Sequence, residues 1–357
     1  MHLKIKKNYK RTKNKILNIL IRFSLSDFVL ALFFYTAPIF INFADKNFNN
    51  KEFTNNSKNI LNKTLNKGKI FEEDGTSAQS DEMDLLYDIL EENNSEINLV
   101  RYTTSEINAL FKEVKYDLEE VRETKLVKPI DIGLLPNEIK NIDNTKKRKE
   151  MFIKIILPLI VKENNKIRID RKRLFTILSK NSNTDIEKKW LQKKYKQYGV
   201  RQNDLSTLKI RMDVIPVSLA IAQAAKETGW GTSRFAQEGN ALFGQWTWSG
   251  EGIKPSGADG DSKHKVAKFK VLKASVKAYQ RNLNTHSGYK EFRRERAIQR
   301  DNEGKLNSLL LVNYLDKYAE TGIEYTKILK KIIEQNSLTE FDDVKILPTT
   351  KKLKNLI

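Results

Sequence analysis

Ala220-Ile221-Ala222-Gln223-Ala224-Ala225-Lys226-Glu227-Thr228-Gly229-Trp230-Gly231 sets one carboxylate at the end of an almost wholly apolar helix. Pro216 suits a first helical position, where its missing N–H costs nothing. Gly229 is the expected stop. Val217, Leu219, Ala220, Ile221, Ala222, Ala224 and Ala225 surround the helix on nearly every side, and a helix that is apolar all round is buried. Gln223 and Glu227 stand four apart on one face. The small residues Ala220 and Ala224 share that face and leave room for something to approach. Burial disfavours an ionised carboxylate, and so does the negative end of the helix dipole. Both raise the pKa of Glu227, the condition under which a carboxylic acid acts as a general acid. The spacing alone fits a buried glutamate satisfied by a partner, or a helix end frayed into water, at least as well.

The surrounding segments narrow the choice. Glu227-Thr228-Gly229-Trp230-Gly231 is followed by Asn240-Ala241-Leu242-Phe243-Gly244 and Gln245-Trp246-Thr247-Trp248, then by Tyr279-Gln280-Arg281-Asn282-Leu283-Asn284-Thr285-His286, Tyr289 and Phe292-Arg293. Tyr318-Ala319-Glu320-Thr321-Gly322 comes last. Upstream stand Val127-Lys128-Pro129, Leu134-Leu135-Pro136 and the basic run Lys146-Lys147-Arg148-Lys149 leading into Ile155-Ile156-Leu157-Pro158-Leu159. In this order the set resembles the bacterial Bax-type and FlgJ-like glucosaminidases of glycoside hydrolase family 73, over residues 126–335. The resemblance implies a mainly α (α+β) fold, a lysozyme-like helical domain with a small β-lobe. It also implies a peptidoglycan hydrolase that cleaves the β-1,4 bond after N-acetylglucosamine, with Glu227 as general acid and no metal or other cofactor. Tyr318 matches the family's active-site tyrosine.

The second catalytic group is less legible. Glycosidases usually employ two carboxylates, about 5 Å apart for retention and about 6.5–9.5 Å apart for inversion. In FlgJ-like relatives a second Glu precedes the phenylalanine that Phe269 resembles, and this chain has no clear match to it. Glu251, Asp259 and Asp261 lie in the corresponding loop, and Glu251 is preferred because it closely follows Trp246-Thr247-Trp248. Each of the three reads equally well as a solvated loop acid. The alternative is substrate assistance, with the sugar's acetamido group as internal nucleophile and Tyr318 supporting it. Gln223, Asn240, Phe243, Trp246, Trp248 and Tyr279 are the expected substrate-binding residues. The Gly/Ser/Asp-rich stretch 249–263 suggests two short strands around a loop.

Composition bounds the rest. The 357 residues carry 65 Lys and Arg against 45 Asp and Glu, a formal +20, and no cysteine. Such charge favours anionic partners, although frequent Lys, Asn and Ile also fit a coding bias. Without cysteine, disulfides and thiolate chemistry are excluded. Eight basic residues precede the first acidic one, and 28–41 is almost continuously apolar. This reads as an export signal or as an inner-membrane anchor over 22–44, with the remainder periplasmic or in the cell envelope. The expected partners are peptidoglycan glycan strands and that membrane, and not nucleic acid.

The chain then divides into a basic flank with signal or anchor (1–44), a linker (45–80), an acidic helical region (81–125), a helical support region (126–210), the catalytic domain (211–335) and an irregular basic tail (336–357). Pro158 marks a kink or break in a helix over 145–163. Segments 169–180, 185–198, 273–285, 306–318 and 324–335 read as further helices. His286 caps a helix end, where a cation is favoured, and reads as structural with no metal partner. Arg293, Arg294 and Arg296 read as a solvated face. A non-catalytic peptidoglycan-binding scaffold and a cell-wall amidase are the competing functions.

Overall fold

The computed structural model describes residues 100–247, 252–254, 265–302 and 304–348. The export segment, the linker, residues 81–99, Trp248, Glu251, Asp259 and Asp261 lie outside the described residues. What is described is mainly helical, with two very small sheets. Among these residues no helix is long and apolar enough to cross a membrane.

Helix α1 (Thr104–Glu113) opens on a capping box between Thr103 and Glu106, and α2 (Leu118–Thr124) on Asp117. Strand β1 (Leu126–Val127) leads through a connection with a 3-10 turn at Asn137–Asn141 to α3 (Thr145–Leu178), 34 residues long. Pro158 sits inside α3 and does not end it. A proline costs a helix interior about 3 kcal/mol, but Ile155, Ile156, Leu157, Leu159, Ile160 and Val161 are all at most 2% exposed around it. Burying each such side chain stabilises by about 1.5–3 kcal/mol, so packing outweighs the break. The segment 169–180 is therefore the end of α3 and not a separate helix. Next come α4 (Asp185–Gln197), α5 (Leu205–Arg211) and α6 (Val217–Thr228).

Helix α6 carries Glu227 and occupies the middle of the main core. Its seven aliphatic residues from Val217 to Ala225 are at most 1% exposed. It packs against α3, against α11 (Ile323–Gln335) and against a 3-10 turn at Leu338–Phe341. Pro216 is its N-cap, one position earlier than expected, and offers no side-chain cap. Asp342 supplies it instead. Its Oδ1 accepts from the Ser218 N–H at 2.8 Å, and its Oδ2 accepts from the hydroxyls of Ser218 and Ser308. The residues 336–348 are thus part of the fold and not an irregular tail. Leu338, Phe341 and Val344 are buried, and β5 (Lys345–Ile346) pairs in parallel with β1.

Between α6 and α11 run α7 (Arg234–Gly239), then β2 (Trp246–Thr247), β3 (Gly252–Ile253) and β4 (Lys265–Ala267) in an antiparallel sheet of order β2-β4-β3. After them come α8 (Leu272–Thr285), α9 (Lys290–Asn302) and α10 (Ser308–Leu311). A 3-10 segment, Val312–Tyr318, replaces the second half of the helix expected over 306–318.

One reading of charged side chains needs correction. Arg293 and Arg296 are 1% and 0% exposed, so only Arg294 of the three keeps a half-open position. Arg296 donates to the carbonyls of Ile210, Asp213 and Val214 and to Asn284 Oδ1. His286 caps α8, and its Nδ1 accepts from the Gly288 N–H at 3.0 Å.

Candidate active site

Glu227 lies in the last turn of α6, half-buried, just before Gly229 closes the helix in the left-handed conformation. One turn earlier Gln223 occupies the same face, now inside the core at 0% exposure. The two are joined through a residue 98 positions after Glu227. The Tyr325 hydroxyl, on the first turn of α11, donates to Glu227 Oε1 at 2.9 Å. Gln223 Nε2 donates to that same hydroxyl oxygen at 3.2 Å, and Gln223 Oε1 accepts from the Tyr279 hydroxyl at 2.6 Å. A directed chain therefore runs from Tyr279 through Gln223 and Tyr325 to the carboxylate. The hydroxyls of Tyr279 and Tyr325 and both amide atoms of Gln223 have partners, the condition under which a buried network fixes one geometry.

Electrostatics follow from this placement. Burial raises the Glu227 pKa above the ordinary carboxylate value, while the Tyr325 bond and the neighbouring Lys226 pull it partly back. Burial, and then the nearby carboxylate, push the Tyr325 phenol far up. Tyr279 and Tyr318 are also raised well above the usual phenol value, first by burial and then by neighbouring ionisable groups. These phenols stay protonated at any physiological pH, so they donate hydrogen bonds and do not act as bases.

Two further walls enclose the acid. On one side Tyr318 stacks on Tyr325, centroids 5.5 Å apart and planes within 7°, and Tyr289 follows at 6.0 Å from Tyr318. On the other side runs the loop that carries Phe243 and Gly244. The Phe243 ring stacks on Tyr279 at 3.9 Å, and its carbonyl accepts from the Tyr318 hydroxyl at 2.8 Å. Gly244 has φ +62°, and a Cβ on it would lie 3.3 Å from Glu227 Oε2. A side chain there would be strained in the backbone and crowded against the carboxylate.

Several residues expected to touch a substrate are turned inward. Gln223, Phe243 and Tyr279 are at most 1% exposed and hold one another. Asn240 is 5% exposed, and its Nδ2 donates to the carbonyls of Phe269 and Lys270. Tyr318 is half-buried beside the acid. Trp246 opens β2, its backbone in register with Val266. Trp248 and Glu251 are among the residues not described. Trp230 packs edge-on against Phe152, as expected of a structural residue, with Lys149 over its ring. Tyr325 was not anticipated. Its only sequence signal is a phenol spaced four and eight residues ahead of Leu329 and Ile333 on the buried face of a helix.

Comparison with known proteins fits this geometry. The glucosaminidase family described as mannosyl-glycoprotein endo-beta-N-acetylglucosaminidase matches residues 202–338, which include Glu227, Phe243, Tyr279, Tyr318 and Tyr325. Protein bax of Escherichia coli (strain K12) is 32% identical over 195 residues, covering 53% of this chain and 70% of that protein. No solved structure matches the chain at a significant level. With the family profile spanning the acid and its tyrosines, and a relative matched over more than two thirds of its length, the chain belongs to the Bax-type glucosaminidases.

Proposed function

We propose that this chain is a cell-wall glycosidase that hydrolyses the β-1,4 bond after N-acetylglucosamine in peptidoglycan, from the periplasm or cell envelope, through a lysozyme-like domain. The carrying observation is the half-buried Glu227, its pKa raised by burial, at the end of the Tyr279–Gln223–Tyr325 chain. In this reading Glu227 protonates the leaving glycosidic oxygen. Either Glu251, Asp259 or Asp261 activates the incoming water, or the substrate's acetamido group attacks first. In the latter case Tyr318, beside the acid, supports that group by turning its hydroxyl proton to it from the Phe243 carbonyl. Gln223 and Tyr279 position the acid and do not contact sugar. Trp246 and Trp248 offer faces on which sugar rings stack. Water is the only co-reactant that hydrolysis requires.

Mass spectrometry of fragments released from purified peptidoglycan tests the assignment. New reducing ends on N-acetylglucosamine support it. Reducing ends on the other sugar, free peptide stems or no release overturn it, and the last two correspond to an amidase and a scaffold.

Tyr325→Phe gives a finer test of the site. It removes the one described hydrogen bond that favours ionised Glu227, so the acid's pKa moves further up. The alkaline limb of the pH–kcat profile then shifts to higher pH. The freer carboxyl is also less well aimed, and kcat falls about 10–100-fold. A pH–rate profile checks both, and an unchanged limb means that the Tyr325 bond does not govern the acid.

A further inference from the structure

Half of the net charge of this chain sits in one short stretch that the site does not use. Residues 166–211 hold 14 Lys and Arg against 4 Asp and Glu, a net +10 out of +20. They form the far end of α3, then α4 and α5, gathered on a small core of their own around Leu174, Ile177, Leu191, Tyr195, Leu208 and Met212. The α3 residues of the main core lie between 151 and 161. At 1.5 Å per residue, the end of α3 at Leu178 stands about 25 Å further along its axis. The tip of the α3–α4 hairpin thus lies away from the main core, while α5 packs against α9, and Lys180 is paired with Glu187 across the hairpin turn.

The hairpin is unusual in what it leaves open. Nine large apolar side chains are exposed among the described residues, and four belong to it: Ile169 at 61%, Phe175 at 39%, Leu178 at 37% and Ile186 at 74%. Phe175, Leu178 and Ile186 flank the turn itself. On α4, Ile186, Lys189, Lys193 and Lys196 recur at i, i+3, i+7 and i+10, on the side opposite the buried Leu191 and Tyr195. Lys172, Lys189, Lys193, Lys196 and Arg201 are exposed and have no ion pair among the described residues.

The geometry points to an interaction surface: the tip and outer face of the α3–α4 hairpin dock on a bilayer that carries anionic phospholipids. Charge complementarity accounts for the bare lysines, each attracted to a negative lipid surface within a Debye length. The exposed Leu178 and Ile186 select a bilayer over a soluble polyanion, while the Phe175 ring is covered in part by Arg171 and Lys209. A polysaccharide or nucleic acid gains nothing from aliphatic side chains, whereas an interfacial element buries its apolar residues at the headgroup boundary while its cations stay among the headgroups. This contact is separate from the apolar run 28–41 and does not depend on the chemistry of Glu227.

The absence of cysteine makes the test clean. In the full-length chain, Ile186→Cys is labelled with an environment-sensitive fluorophore. A second preparation carries the label at Leu310→Cys, an exposed apolar position outside the hairpin. With vesicles of phosphatidylcholine plus phosphatidylglycerol, the label at 186 shifts to the blue and becomes shielded from an aqueous quencher, and the label at 310 does not. Adding Lys189→Glu, Lys193→Glu and Lys196→Glu weakens the response about tenfold or more, and raised salt does the same. The proposal is overturned if the label at 186 does not respond. It is equally overturned if phosphatidylcholine alone or soluble heparin gives the same shift, or if both labels respond alike through the amino-terminal segment.

Discussion

Glu227→Gln leaves the protein folded and stops hydrolysis, with kcat on purified peptidoglycan falling about 10²–10⁴-fold, the usual worth of a positioned general acid. The substitution is nearly isosteric. The amide oxygen still accepts from Tyr325, so the chain from Tyr279 survives, but there is no proton to give to a leaving oxygen. Glu227→Asp keeps the proton and draws it back by one methylene, and a misplacement of that order costs about 10²-fold. The pH profile carries the same logic. Activity requires protonated Glu227, so it is lost as pH rises through a pKa that burial has lifted above the ordinary carboxylate range. Clearing of purified cell wall by matched amounts of wild type and variant, with melting temperatures measured in parallel, checks the expectation. A Gln variant that clears the wall at full speed removes Glu227 from the mechanism.

The parts of this site that were legible in the sequence are those set by local rules. An alanine-rich run between Pro216 and Gly229 can only be a buried helix, and the carboxylate in its last turn follows from spacing. The amphipathic α8 was readable for the same reason. What was not readable depends on residues far apart in the chain. Tyr325 reaches Glu227 across 98 positions, and nothing near either one announces the pair. Gln223 and Tyr279 look like cleft residues because they are polar and lie near the acid, yet they satisfy each other inside the core. Arg293 and Arg296 follow a surface pattern on α9 and are nonetheless buried, because backbone carbonyls from other elements converge on them. Reading 336–357 as one irregular basic tail concealed the acidic stretch of Glu340, Asp342 and Asp343, in which Asp342 caps α6. Polar residues, whose burial is decided by distant partners, accounted for most of the differences between expectation and structure.

Asp213→Ala has the largest expected effect on stability, a loss of about 3–5 kcal/mol, because it leaves buried positive charge without a counter-charge. Asp213 is 2% exposed. Arg300 meets its two carboxylate oxygens at 3.1 and 3.2 Å, and Arg171 approaches at 3.7 Å. Arg296, wholly buried, donates to the Asp213 backbone, and burial has already pushed its pKa down to about 10. Burial alone would raise the pKa of Asp213, but Arg296, Arg171 and Arg300 outweigh it and hold the carboxyl below its ordinary value of 3.8. A depressed folded pKa means that this stability is present above the unfolded pKa and is lost as pH falls through the folded one. The melting-temperature gap between wild type and Asp213→Asn is therefore full at neutral pH and narrows below about pH 4. In a unit of this size each kcal/mol moves the melting temperature by about 2–4 °C, which makes the alanine variant easy to score by thermal denaturation. The effect extends to catalysis because Asp213, Val214 and Ile215 form the segment that enters α6. Asn284 and Arg296 hold the carbonyl of Asp213, and Asn164 holds both backbone groups of Ile215. The alanine variant keeps these backbone bonds but loses the carboxylate that ties Arg300 and Arg171 to the segment, which loosens the helix that aims Glu227, so activity falls at temperatures where the variant is still folded. If Asp213→Ala melts like wild type, the arginines do not depend on it, and the entry to α6 is held by the asparagines alone.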